Sequence, residues 1–428
     1  MNIVISYHNF LRDYRGSLLL KETLRALGHR VWLTPHWNDD IGLARLKKAD
    51  VIVGCQIAER STSYLGYEAQ RYGTHLVLNS SEQFTRPENL RAFVTFDCNQ
   101  LNDQVISIQN IACKDLMSFI ESSTEIKNKD VYKYIGFPRY DLSTVPELRS
   151  AETPGLKQRY ALQNSNRIIL YLSSFLFEET FIGVPEEDME RFGYQELIER
   201  NKAMFTEVSE MLKTFLRTSA RPNDIFLIKK HPWDDSQKIE DAFNDDRVRV
   251  LAQNEYIVPC MDAADLILHS FSTAAIEAWV MGKPTAAIVP SGFESGVNLT
   301  HMEYENVVKS REELENLLEK SPQPHSASMV DTFLGGLADG NATIRLAREI
   351  HKLVPRNTTW SPFTRRQKLK KTLEQFLLEY GFRNPQAIHP SGKMKMLADW
   401  ERDRKAIQRC YRRPLRRYIH DRIQDLMK

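Results

Sequence analysis

The chain lacks the signatures by which many enzymes are read from sequence. Its 428 residues contain no GxxxxGK[ST] phosphate loop, no GxGxxG, no HExxH and no GxSxG. These absences argue against a P-loop NTPase, a dinucleotide oxidoreductase, a zinc protease and an α/β hydrolase. No Asp-x-Asp pair occurs, so nothing points to a metal bridging a diphosphate, and neither a metal nor a cofactor is expected. Cysteine is scarce, and Cys55, Cys98, Cys113, Cys260 and Cys410 form no CxxC pair. A dispersed, odd set excludes a disulfide framework and fits small apolar residues in a reducing compartment. No apolar run reaches the roughly 18 to 20 residues of a bilayer span. Met1 leads straight into a strand-like segment instead of a signal peptide, so a cytoplasmic location is expected.

What is present is the composition of a globular protein, with 42% hydrophobic and 27% charged residues. The length exceeds one ordinary core and predicts two domains plus an appendage. A net charge of +2 conceals a division. Residues 361–428 carry 18 Lys or Arg against 7 Asp or Glu, a surplus of +11, which leaves the preceding 360 residues at −9.

Short apolar runs alternate with helical spacing along most of the chain. Strands are expected at 2–6, 30–33, 50–54 and 75–79, with a polar loop after the first and a helix over 17–27. A strand over 130–141 breaks at Gly136 and Pro138, and the charged stretch 143–159 reads as a linker. Strands resume at 167–172, 225–230, 247–251 and 265–269, with a long helix over 195–216. This alternation predicts βαβ units and mainly parallel sheets. The expected domains are 1–150, 151–355 and a basic helical extension over 356–428, in which Pro414 should break or kink the last helix.

Two polar clusters end buried-looking runs. Ile228-Lys229-Lys230-His231-Pro232 closes one, and His269-Ser270-Phe271-Ser272-Thr273 leads from another into a helix containing Glu277. Ligands of open parallel sheets bind outside the carboxyl ends of the strands, where these clusters fall. An imidazole beside lysines suits a phosphate or a departing nucleotide. Hydroxyls and N–H groups at a helix start bind anions, though plain N-capping explains any one of them. Ser173 and Ser174, after another strand, offer a further phosphate contact or a polar strand end. Glu277 reads equally as a ribose acceptor or a solvated helix residue. Asp13 and Glu82 follow strands in the first half, as general bases for an acceptor hydroxyl or as solvated loop charges.

At these residues the chain resembles surface carbohydrate biosynthesis proteins and capsule glycosyltransferases of the GT-B class. The resemblance rests on the His-Pro pair, on the Ser/Thr stretch with Ala275-Ile276-Glu277-Ala278 and Gly282-Lys283-Pro284, and on the hinge-like Gly136-Phe137-Pro138-Arg139-Tyr140-Asp141. Arg15-Gly16 and Asp339-Gly340-Asn341-Ala342 add to it, and the likeness spans about residues 1–354. It implies an α/β fold of two Rossmann-like domains facing across a cleft, the first binding acceptor and the second the nucleotide sugar. By similarity to bacterial Kdo transferases and sialyltransferases, His231, Pro232, Ser272 and Thr273 would contact a CMP donor. Teichoic-acid glycerophosphotransferases are similar too, which makes CDP-glycerol the alternative donor. The sialyltransferase acid motif has no counterpart, since Glu178-Glu179 lacks the following glycine.

The expected activity is metal-independent transfer from a nucleotide-sugar donor to a surface polysaccharide or lipid-linked acceptor. The site residues are Asp13, Glu82 and His231 for catalysis, and Ser173, Ser174, Lys229, His231, Pro232, Ser270, Ser272, Thr273 and Glu277 for the nucleotide. A non-catalytic nucleotide-sugar binder in capsule assembly is the other reading. The basic tail suggests an anionic membrane surface as partner, with the protein peripheral at its inner face; a solvated extension or an oligomer contact accounts for it equally. Nucleic acid fits poorly, because the body is acidic and carries no recognition motif.

Overall fold

Among the described residues, twelve strands form two six-stranded sheets, and every pairing is parallel. The computed structural model describes residues 1–7, 10–35, 40–54, 59–79, 106–124, 126, 128–181, 186–191, 193–232, 234, 236–293, 300–320, 322–379 and 404–427. The described chain divides into two compact units. Among the described residues, unit 1 holds Met1–Leu148 and those from Val330 onward, and unit 2 holds Arg149–Met329.

Unit 1 is built on β1 (Asn2–Tyr7), β2 (Arg30–Pro35), β3 (Val51–Gly54), β4 (His75–Leu78), β5 (Ile106–Ile111) and β6 (Tyr132–Tyr134), in the order β2-β1-β3-β4-β5-β6. Its central strands are apolar on both faces, as in Ile3-Val4-Ile5 and Val51-Ile52-Val53, because helices cover both sides of a parallel sheet. Unit 2 uses β7 (Arg167–Leu172), β8 (Asp224–Lys229), β9 (Val248–Val250), β10 (Leu266–His269), β11 (Thr285–Ile288) and β12 (Val307–Val308), in the order β12-β11-β10-β7-β8-β9. Its long helix Tyr194–Thr218 buries Met204, Val208, Met211, Leu212 and Phe215, an i, i+4, i+7 stripe, in the cluster that contains Tyr171 and Phe226.

Several sequence expectations are corrected. The first helix begins at Phe10, seven residues early, so Asp13 and Arg15 lie on a helix and not in a loop. The reason is packing: Phe10 stacks on Tyr14, and both are buried beside Leu18. The stretch 143–159 is mostly helical, with turns at Pro138–Thr144, Pro146–Arg149 and Thr153–Arg159, each opened by proline at the first or second position.

Residues 330–355, expected in the second domain, group with unit 1. Helix Ala342–His351 packs on helix Phe10–Ala26, and its first N–H groups are held by Asp141, from Ala342 at 3.0 Å and Thr343 at 2.7 Å. A carboxylate there satisfies orphan donors and meets the positive end of the helix dipole.

Nor is the last helix a solvated appendage. Helix Arg404–Met427 runs through Pro414 and buries Arg404, Ile407, Tyr411, Leu415 and Tyr418 along one stripe against unit 1. Ile407 and Leu415 alone contribute roughly 1.5–3 kcal/mol each on burial. With two tyrosines they outweigh the ~3 kcal/mol that an interior proline costs. Tyr418 Oη lies 2.9 Å from both Asp141 Oδ2 and the Gly340 carbonyl, tying the helix to the same cap.

Candidate functional site

In unit 2 the chain builds β7, β8 and β9 outward in one direction, then crosses back to lay β10 against the other side of β7. The reversal makes a switch point between β7 and β10, where helices leave in opposite directions and open a crevice. Register places Leu172, Lys229 and His269 level with one another on adjacent strands. The residues that follow, Ser173-Ser174, Lys230-His231-Pro232 and Ser270 to Thr273, therefore emerge side by side at one sheet edge. Backbone pairing alone thus assembles segments as far as 100 residues apart in sequence.

The side chains divide there into buried supports and accessible groups. Ser174, His231, Pro232, Ser272 and Thr273 are half-buried, while Ser173, Lys229, Ser270 and Glu277 are buried. Lys229 Nζ donates to the Gln253 carbonyl at 2.9 Å and the Lys230 carbonyl at 3.2 Å, and burial pushes its pKa down to about 8. Lys230 Nζ donates to Glu240 Oε1 at 2.9 Å. The two lysines thus serve the interior, contrary to the expectation that Lys229 contacts the nucleotide. A nonpolar strand interior leaves no room for a hydrated ammonium, so each finds carbonyl or carboxylate partners. Ser270 is likewise occupied, its Oγ donating to the Ile288 carbonyl at 3.1 Å and lying 2.9 Å from Tyr171 Oη.

Around Ser272 the loop is held in an unusual shape. Phe271 has φ +60, a left-handed conformation that costs a non-glycine residue roughly 1–2 kcal/mol. Such strain persists only where neighbours enforce it and clusters at functional sites. Here Ser272 N–H donates to His269 Nδ1 at 3.2 Å, and Ser272 Oγ accepts from Ala274 N–H at 3.3 Å. Both bonds sit at the long end of the N–H···O/N range, so a stronger anionic acceptor would compete well for these donors. Ser272 precedes Thr273, the N-cap of helix Ala274–Val280, whose own side chain makes no capping bond.

Behind the loop lies a polar cluster that the sequence reading missed. Because Nδ1 of His269 accepts the Ser272 N–H, the ring proton falls on Nε2, 3.3 Å from Glu305 Oε2. Glu305 Oε1 accepts from Thr285 Oγ1 and Trp279 Nε1, each at 2.6 Å, and lies 3.4 Å from His325 Nε2. Burial alone would raise the Glu305 pKa, but the bonds from His269, His325 and Thr285 prevail and hold it well below the usual carboxylate range. Burial, above all, pushes His301 down to about 3. Glu305 stands 36 residues beyond His269 in a region without a strand-end signal, so only the fold reveals the pair.

The Gly282-Lys283-Pro284 stretch proves to be helix punctuation. Gly282 takes φ +68 after helix Ala274–Val280, and its N–H donates to the Trp279 carbonyl at 2.9 Å. Lys283 Nζ donates to the carbonyls of Asp262 and Ala264 at 2.9 and 2.7 Å, closing the end of helix Ile257–Ala263. Glu178, the nearest thing to an acid motif, is an exposed residue paired with Lys202 and Lys238.

Unit 1 has a site of its own at its switch point, between β1 and β3. A small pocket there is lined by Ser6, Asp13, Ser17, Gly54, Asn79 and Arg139 among others. Asp13 is buried rather than solvated, and Arg12 Nε donates to its Oδ1 at 3.0 Å. Gly16 allows the helix to approach this closely, since a Cβ there would meet Arg139 Cα at 3.2 Å. The 136–141 stretch is therefore part of this pocket's wall, with Phe137, Pro138 and Arg139 lining it. Asn110 Nδ2 fixes the rim by donating to Asn79 Oδ1 and to the Gly136 carbonyl, both at 2.7 Å. Glu82 lies outside the described residues.

Two α/β units, each a six-stranded parallel sheet with flanking helices, define the GT-B class of fold. Among solved structures, the wall teichoic acid polymerase TagF matches with a TM-score of 0.53 at 10% identity, over 87% of this chain and 89% of that one. A second TagF structure matches at 0.53 with 11% identity, over 82% and 88%. The UDP-GlcNAc 2-epimerase of Neisseria meningitidis, bound to UDP-GlcNAc, matches at 0.50 with 13% identity, over 82% and 100%. No family model and no curated protein sequence matches the chain. At these identities the likeness is one of fold.

Proposed function

We propose that this protein is a metal-independent glycosyltransferase that moves a sugar from a nucleotide donor to a surface polysaccharide or glycolipid acceptor. A CMP-linked acid sugar is the preferred donor, on the resemblance of the His-Pro and Ser/Thr motifs. The carrying observation is that Ser174, His231, Ser272 and Thr273 meet at the carboxyl ends of β7, β8 and β10, beside the switch point. In this reading Ser272, Thr273 and the loop N–H groups bind the donor phosphate. His231 donates to the phosphate oxygen that gains charge as the glycosidic bond breaks. Glu277 accepts from ribose hydroxyls, and Asp13 of unit 1 takes the acceptor hydroxyl's proton, with Glu82 the other candidate base.

Likeness of fold to a wall teichoic acid polymerase favours a second reading, glycerophosphotransfer from CDP-glycerol. A thermal-shift panel of CMP, CDP, UDP, GDP and CDP-glycerol separates the two. One nucleotide should stabilise the protein selectively, and His231→Ala should weaken that shift. Absence of any shift would sink the donor site. Binding without transfer in mass-spectrometric assays with mixed acceptors would leave a nucleotide-sugar binder instead of an enzyme.

A further inference from the structure

We propose that the solvent face of helix Arg404–Met427 is a docking surface for an anionic phospholipid bilayer. The sequence places a basic surplus in the tail as a whole; the structure lines up six of its eighteen basic residues on one ridge. The inward stripe of Arg404, Ile407, Tyr411, Leu415 and Tyr418 is taken up by unit 1. Lys405, Arg409, Arg412, Arg413, Arg416 and Arg417 are all exposed. At about 100° per residue they fall within an arc of about 140° centred opposite the buried stripe. Over residues 404–423, Asp421 is the one exposed carboxylate. It lies 4.0 Å from Arg417, which also reaches Glu147 at 3.8 Å. Arg409, Arg412, Arg413 and Arg416 make no ion pair among the described residues.

From Lys405 to Arg417 the ridge runs about 18 Å, at 1.5 Å per residue. Because its apolar side is already spent on unit 1, the helix cannot insert, and attraction to it is electrostatic. A convex, straight line of guanidinium groups fits a plane of anionic headgroups, each of which accepts paired N–H donors. Nucleic acid fits worse. No Phe, Tyr or Trp is exposed over residues 404–423 to stack on a base, and the chain before the tail carries −9, which a long polyanion would meet.

The surface requires no nucleotide, so its test is independent of the donor reading. The full-length protein is sedimented with vesicles of phosphatidylcholine alone and with added phosphatidylglycerol, at low and high salt, without nucleotide. Binding should demand phosphatidylglycerol and fall steeply with salt. The quadruple variant R409Q/R412Q/R413Q/R416Q should keep its melting temperature and nucleotide-induced shift but lose anionic-vesicle binding about tenfold or more. Equal vesicle binding by the variant would overturn the proposal. So would tighter binding of an oligonucleotide than of anionic vesicles at matched salt.

Discussion

The two sheets solve one topological problem in two chemical ways. In both, the chain reverses direction beside the sheet's first strand, at β1/β3 in unit 1 and β7/β10 in unit 2. Counted from its own first strand, unit 2 has the order 3-2-1-4-5-6 of nucleotide-binding sheets, whereas unit 1 runs 2-1-3-4-5-6. The switch point of unit 2 is furnished with hydroxyls and an imidazole, without a glycine fingerprint. That of unit 1 offers a carboxylate, Asp13, with Arg12 and Arg139 beside it. Topology thus makes the crevice, and side-chain type decides which reactant it suits.

This division of labour predicts separable effects. The largest belongs to Asp13→Asn, which should lower turnover by roughly 10²- to 10⁴-fold, as loss of a general base does. The nucleotide-induced thermal shift should survive, and its loss together with turnover would erase the contrast between the units. Next, Glu305→Ala removes one partner of a buried ionic cluster and should cost about 3 kcal/mol in urea denaturation. Glu305→Gln, keeping shape but not charge, should cost less and chiefly weaken nucleotide binding, because the His269 ring and the Ser272 loop lose their anchor. If Glu305→Gln leaves both unchanged, the cluster does not position the loop.

His231→Ala should then weaken the nucleotide by roughly 10- to 150-fold, the ~1.5–3 kcal/mol of a hydrogen bond to a charged group. Isothermal titration reads this directly, and a loss in turnover without a loss in affinity would move His231 out of the donor site. Tyr418→Phe in unit 1 should cost only ~1 kcal/mol of stability by leaving the buried Asp141 short of a donor, with nucleotide binding untouched.

Acid sensitivity should be the smallest difference. His301 in unit 2 and His29 in unit 1 are both lowered chiefly by burial, to about 3 and about 4. A ring whose folded value lies below its unfolded 6.5 is neutral in the fold, and the unfolded chain binds its proton more readily. Stability is therefore full above about pH 6.5 and falls as the pH drops towards those values. Denaturation at pH 7 and pH 4 should show the loss. His301→Asn should reduce it more than His29→Asn, since His29 is half-exposed and its contribution is screened.

Much of this was legible in residue order. Strand-like runs at 2–6, 167–172 and 225–230 fall on β1, β7 and β8, because strands buried on both faces must be apolar throughout. The His-Pro and Ser/Thr clusters were visible because polar residues at the ends of such runs break an otherwise apolar pattern. Lys229 and Ser270 were misread for the same reason, since sequence marks a polar residue without saying whether it faces water or an interior partner. Helix Phe10–Ala26 began earlier than its pattern because Phe10 and Tyr14 had a tertiary surface to cover.

By itself, then, the sequence determined the alternation of strands and helices, the strand ends that carry polar groups and the concentration of positive charge in the tail. Those are local properties, written in hydrophobic periodicity and residue type. Tertiary structure decided which strand ends become neighbours, that Glu305 stands behind His269, and that the last helix buries its tyrosines while Arg409, Arg412, Arg413 and Arg416 face water. Each depends on contacts between residues remote in sequence, which no local pattern records.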